Sequence, residues 1–160
     1  MQYDVKSYHA SASGNATTSP VRLKGITVTT GTVSARNMAV ANPVVSKSGT
    51  WSRTGTAVTV TINDNGLANG QRVFLDVAAG TTMRDGVYEV SNVTTNTFTV
   101  VSVTSGAATG TVTMYTDIYL EVDTFNTVGL PIKIPGEGIY CPNGIYVGVG
   151  SSVTATVIYG

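Results

Sequence analysis

Val58-Thr59-Val60-Thr61-Ile62 alternates an apolar residue with threonine at every step, and Asn63-Asp64-Asn65-Gly66 follows it directly. A period of two marks a half-buried strand, because successive side chains point to opposite faces of a sheet. Valine and threonine reinforce that reading, since branching at Cβ suits a pleated surface better than a helix. Asn65-Gly66 supplies a turn, both residues entering positive φ readily. A strand closed by such a turn predicts an all-β chain.

The pattern extends in both directions. Asn69-Gly70 and Asp85-Gly86 punctuate the following segments, and strands are predicted near Ala57–Ile62, Arg72–Val77, Val87–Val93, Thr97–Val103 and Thr111–Tyr115. Five short antiparallel strands suffice for a small closed barrel, and closure removes exposed sheet edges. Residues 48–116 therefore read as a complete β-barrel, with Trp51 expected to plug its end or the domain junction. Beyond it, Ile118-Tyr119-Leu120-Glu121-Val122 and Val153-Thr154-Ala155-Thr156-Val157-Ile158-Tyr159 alternate in the same way, and Asn143-Gly144 marks another turn. Strands are predicted near Tyr3–Ala10, Val21–Thr29, Val33–Val40, Asp117–Val122, Leu130–Ile134, Ile145–Val149 and Val153–Tyr159, with Ser11–Pro20 a loop. Seven strands whose first and last members lie far apart in sequence suit a two-sheet, jelly-roll-like β-sandwich. The expected organisation is a split sandwich, 1–47 with 117–160, interrupted by a five-stranded barrel, 48–116. Surface loops accept such insertions because domain termini lie close together.

Of the 160 residues, 42% are hydrophobic, enough for two small cores, and only 11% are charged. An average soluble protein carries about 25%. Thr, Ser, Gly and Asn fill the vacated surface, which limits repulsion and suits packing against copies or neighbours. Net charge is zero and no basic run occurs, which disfavours nucleic acid and anionic membranes as partners. The single cysteine, Cys141, gives neither a disulfide nor a metal-ligand spacing and is expected to be a small buried hydrophobe. Met1–Gly14 is polar, and no apolar run approaches the ~20 residues that span a bilayer, so folding in a cytoplasm is expected.

Catalytic patterns are weak. The one histidine, His9, has no Gly-x-Ser-x-Gly elbow to accompany it and is expected at a surface or interface. Asp64, Asp76, Asp85, Glu89, Glu121, Asp123 and Glu137 could in composition supply a glycosidase pair. Asp64 and Asp85, however, sit in glycine-containing turns, and Glu121 and Asp123 lie opposite the apolar face of their strand, so solvated positions are expected. Asn63-Asp64-Asn65-Gly66 lacks the alternating ligands and distal Glu of a calcium loop, and Gly136-Glu137-Gly138 lacks the Lys-Ser/Thr pair of a phosphate cradle. No catalytic residue, metal or cofactor is expected, nor a small-molecule ligand. Tyr140, Tyr146 and Tyr159 cluster near the C-terminal end, with Tyr115 and Tyr119 before them. Core packing with the hydroxyl at the rim is one reading of the set, and a protein interface is the other. Pro131 and Pro135 bracket Ile132-Lys133-Ile134; proline donates no ladder hydrogen bond, so an edge strand is expected there.

Two resemblances cover nearly the whole chain. Asn65-Gly66-Leu67-Ala68-Asn69-Gly70-Gln71-Arg72-Val73-Phe74-Leu75, Asp85-Gly86-Val87-Tyr88-Glu89-Val90, Asn96-Thr97-Phe98-Thr99-Val100 and Gly110-Thr111-Val112 together resemble a small β-barrel repeat of bacteriophage virion proteins. That repeat is similar to the first catalytic-cysteine half-domain of ubiquitin-activating enzymes, and no catalytic residue of theirs is carried over. Arg22-Leu23-Lys24-Gly25-Ile26, Ile132-Lys133-Ile134-Pro135-Gly136-Glu137-Gly138-Ile139, Asn143-Gly144-Ile145-Tyr146-Val147 and Val157-Ile158-Tyr159-Gly160 resemble small β-sandwich head or tail proteins of tailed phages. With the low charge and the domain-in-loop plan, the resemblance implies a non-enzymatic virion protein. The expectation is a capsid decoration (cement) protein on the head exterior, assembled in the host cytoplasm. It would be a homotrimer bound to the major capsid protein. A tail or neck accessory protein and a host-glycan-binding module are the alternatives. Expected contact residues are Tyr140, Tyr146, Tyr159, Pro131, Ile132, Ile134 and Pro135.

Overall fold

A computed structural model describes residues 5–30, 36–78, 83–124, 129–150 and 152–160. Its strands begin with β1 (Lys6–Ala10), β2 (Gly14–Thr17), β3 (Val21–Thr30) and β4 (Arg36–Ala41). Then come β5 (Ser46–Thr54), β6 (Ala57–Thr61), β7 (Arg72–Val77), β8 (Gly86–Glu89), β9 (Thr97–Val101) and β10 (Ala108–Tyr115). The last are β11 (Ile118–Thr124), β12 (Leu130–Lys133), β13 (Ile139–Cys141), β14 (Ile145–Gly148) and β15 (Val153–Tyr159). The chain is all-β, with no helix among the described residues. It forms two compact units, Met1–Val44 with Ile118–Gly160, and Val45–Asp117.

The first unit holds a five-stranded and a four-stranded sheet. Strand order is β1-β15-β3-β12 in one, with β13 also paired to β3, and β11-β4-β14-β2 in the other. Along β15, Val153, Ala155, Val157 and Tyr159 are buried while Thr154, Thr156 and Ile158 alternate outward, as expected when one face of a sheet is covered. Those inward residues share a core with Leu23, Ile26 and Val28 of β3, Met38 and Val40 of β4, and Ile145 and Val147 of β14. Two of these strands lie outside the predicted set. β2 falls within the expected loop Ser11–Pro20, because Gly14-Asn15-Ala16-Thr17 carries almost no apolar signal and pairs through β14. The other, β13, is too short to show a period. The predicted strand positions Tyr3–Asp4 and Val33–Ala35 lie outside the described residues.

The second unit is one six-stranded sheet in the order β8-β7-β10-β5-β6-β9. A bridge between Ser91 and Thr99 brings the segment after β8 against β9, so the sheet is nearly closed. Five strands were expected and six are present. The additional one is β5, whose Ser46-Lys47-Ser48-Gly49-Thr50-Trp51-Ser52-Arg53-Thr54 has a single apolar side chain in the described strand. Pairing with β6 on one side and β10 on the other holds it. Trp51 is therefore mid-strand and not a plug. It is 2% exposed and packs with Val58, Val60, Leu75, Phe98 and Met114. Ser46 and Lys47 are already in register with Tyr115 and Met114, which places the start of this unit before the expected Ser48.

Two local features shape the barrel. A Cβ at Gly49 would collide with the Thr61 carbonyl oxygen and lie 2.6 Å from Ile62 Cγ1, so only glycine permits the close approach of β5 to the end of β6. Asn65 is buried in the turn after β6, where its Oδ1 accepts from Leu67 N (3.1 Å) and its Nδ2 donates to Thr94 O (2.9 Å). Asp64 beside it has φ 49°. The polar run 63–66 is thus a side-chain-braced turn.

Candidate functional site

The edge of the five-stranded sheet is built from β3 outward. β12 pairs Lys133 with Gly25, and β13 pairs Ile139 with Leu23 on the same side of β3. Ile134, Pro135, Gly136, Glu137 and Gly138 consequently all fall opposite the single residue Lys24. Such a wide bulge bends the strand away and re-aims the side chains around it. Gly136 (φ 66°) and Gly138 (φ 82°) make the turn possible, and a Cβ at Gly138 would strike the Leu23 carbonyl oxygen.

Two cations of β3 fasten the bulge. Lys24 Nζ donates to Glu137 O at 2.8 Å, and Arg22 Nη1 to Gly138 O at 3.5 Å. Arg22 Nε also stands 3.9 Å from Glu137 Oε2, but that carboxylate is 86% exposed, so solvent screens the pair. Immediately after the bulge, Tyr140 points outward, 56% exposed, with the Arg22 guanidinium 5.5 Å from its ring centroid. A cation over an exposed aromatic ring contributes about 0.5–1 kcal/mol, enough to bias the ring toward one pose. Pro131 and Pro135 are exposed, whereas Ile132 and Ile134 are half-buried against the core of this unit. β12 ends its sheet, and its prolines and bulge are the devices that keep an edge from adding a further strand. An anchored tyrosine on a shaped, non-extendable edge is suited to docking on another protein through side chains.

The other expected contact tyrosines go elsewhere. Tyr146 is 4% and Tyr159 7% exposed, both in the core of the first unit, and Tyr159 Oη donates to Ala16 O at 3.2 Å. They do not contribute to a surface patch. Phase in the strand separates them: Tyr159 keeps step with Val153, Ala155 and Val157, whereas Tyr140 is out of step with the inward Cys141. His9 is exposed, its Nδ1 3.1 Å from Thr156 Oγ1. Asp85 Oδ1 accepts from Val77 N at 2.7 Å, and Asp64 N donates to Asn96 Oδ1 at 3.0 Å, both backbone roles. Cys141 is buried. No cluster of three or more His, Cys, Asp or Glu that could hold a metal forms among the described residues.

The barrel presents a second surface that sequence reasoning missed. Cross-strand register aligns Thr99, Thr59, Ser52 and Thr109 in one row across β9-β6-β5-β10, and Thr97, Thr61, Thr50 and Thr111 in the next. All eight point outward, since their strand neighbours Phe98, Val58, Val60, Trp51 and Val112 are buried. Ser48 and Thr113 continue the pattern, their hydroxyls 3.3 Å apart. Open grooves of about 450 and about 340 Å³ flank Ser48 and Gly49. Asn63 and Thr61 line the larger, and Asp76, Thr111 and Thr113 the smaller. Each threonine was visible in the sequence, but its alignment into rows depends on pairing between distant segments.

Compared with known proteins, the chain matches no family model, no curated protein and no solved structure.

Proposed function

We propose that this chain is a non-enzymatic structural protein of a tailed-phage virion, a capsid decoration protein on the head exterior. The observation that carries the reading is the fastened edge bulge with Tyr140 standing over Arg22. Tyrosine and arginine are the residue types over-represented where binding energy concentrates in protein interfaces. The bulge gives them a fixed pose, which lowers the ordering cost of docking. A charged fraction of 11% and zero net charge add little long-range repulsion between closely spaced copies. Closed symmetry is the general rule for homo-oligomers, and a trimer would match three-fold positions on a capsid lattice.

The test is quantitative mass spectrometry of purified virions, followed by coating with a Tyr140→Ala variant. Copies comparable to the major capsid protein, or a simple fraction of it, support decoration. A few tens of copies place the protein in the tail or neck, and absence from the particle refutes a virion role. If Tyr140→Ala protein is folded and coats particles as well as the original, the edge bulge is not the contact.

A further inference from the structure

We propose that the hydroxyl face of the barrel, on β9-β6-β5-β10, binds a neutral, hydroxyl-rich polysaccharide. This goes beyond the virion reading and does not depend on it. The two aligned rows contain only threonine and serine. Each hydroxyl offers one donor and two acceptor sites, the same equipment a sugar hydroxyl carries. A charged polymer finds no counter-charge in these rows, and an apolar partner finds no apolar side chain in them, because Trp51, Val58, Val60, Phe98 and Val112 all point inward; outward apolar area begins only at the next register, where Val101 pairs with Ala57.

Grooves of about 450 and about 340 Å³ lie on either side of Ser48 at the end of the face, within the size range of small-ligand sites. Asn63 borders one and Asp76 the other. The Asn63 amide beside these hydroxyls both donates to and accepts from sugar hydroxyls. Lys47, which also borders the larger groove, donates one Nζ hydrogen to the Asp64 carbonyl and has two further donors for a sugar hydroxyl. The strands beneath are paired along both rows, so the array needs no ordering when a ligand arrives.

Size separates this occupant from a second copy of the chain. Four strands spaced about 4.8 Å apart, over two full rows and the Ser48–Thr113 pair, present a patch of at most roughly 20 by 15 Å. That is well short of the ~800 Å² per partner of a stable protein interface. A linear polymer needs no such area on a single module, because adjacent copies can engage it together.

The experiment is affinity electrophoresis of the purified full chain through gels containing dextran, galactomannan, mixed-linkage β-glucan or, as the charged control, polygalacturonate. At least one neutral polysaccharide should retard the protein. Thr50→Val/Thr61→Val removes two facing hydroxyls at the centre of the array with little change in volume. It should weaken that retardation by about tenfold or more. Valine is a good strand former, and a melting temperature within a few degrees of the original would show that folding is intact. No retardation by any neutral polymer, retardation by polygalacturonate alone, or equal retardation of the double variant would each overturn the proposal. So would a wild-type dimer in sedimentation that the double variant abolishes, since the face would then serve a second copy. None of these outcomes bears on the copy number in virions, so the two readings fail separately.

Discussion

Replacing Arg53 by methionine should loosen the barrel selectively. Arg53 is 4% exposed on the inner side of β5. Its Nη1 donates to Thr104 Oγ1 (2.5 Å), Thr104 O (2.8 Å) and Ser102 Oγ (3.1 Å), and its Nη2 to Ser105 O at 3.4 Å. The guanidinium thus organises the loop that follows β9, where Val103 is 77% exposed. Nη1 carries two hydrogens, so its three acceptors share about two bonds; with the longer Nη2 bond, at about 1.5 kcal/mol for each full bond, they give roughly 3–4 kcal/mol before desolvation is counted. Removing the charge also removes its burial cost, and Ser102 Oγ keeps Thr104 Oγ1 at 3.0 Å. A net loss of about 2–3 kcal/mol remains, equivalent to a melting-point drop of roughly 10–20 °C for a domain of this size. Trp51 is the chain's one tryptophan, and its Nε1 has no hydrogen-bond partner among the described residues. Its emission should be blue in the folded barrel and shift red on opening, which makes thermal fluorescence the assay. Arg53→Lys should recover less than half of the loss, because one ammonium cannot reproduce the planar fork. A melting point for Arg53→Met within about 3 °C of the original would refute the reasoning.

Three further outcomes follow from geometry. Gly49→Ala sets a methyl against the Thr61 carbonyl and should cost about 3 kcal/mol or more, whereas Gly66→Ala, with open space around it and φ 71°, should cost about 1–2 kcal/mol; denaturant titration followed by Trp51 compares them. Cys141, 0% exposed, should react with a thiol reagent only when its unit opens, so labelling rates equal to those of a free thiol in native buffer would contradict its burial. Tyr140→Ala should alter stability by no more than about 1 kcal/mol, the scale of its cation–π contact, and a larger loss in calorimetry would mean that the ring supports the fold.

Where the sequence was most readable, local alternation and tertiary burial agree. Val58, Val60 and Ile62 are buried and Thr59 and Thr61 exposed, as their period demands. β5 was hidden because its inward positions are Gly49, Trp51 and Arg53, which share no hydropathy. Its strand character comes from neighbours on both sides, and tertiary pairing overrides local preference. β2 escaped notice for the same reason. At the edge, Pro131 and Pro135 signalled an interrupted strand, but the bulge depends on how two separate segments register against β3. Tyrosine composition did not distinguish core from surface; strand phase does, and it separates Tyr140 from Tyr159.

The ladder pair Ser46–Tyr115, at the base of the inserted unit, bears on how the whole chain folds. β4 and β11 meet at Ala41 and Ile118, so their pairing has to close a loop containing the entire barrel. If the barrel folds first, Ser46 and Tyr115 are already side by side, and the effective loop shrinks from about seventy residues to fewer than about ten. At about 0.6 kcal/mol for each halving, closure becomes easier by roughly 2 kcal/mol. The insertion would then act as a kinetic clasp, lowering the effective contact order of its host. A chain with the barrel unfolded would be expected to assemble its β4–β11 pairing some thirty-fold more slowly.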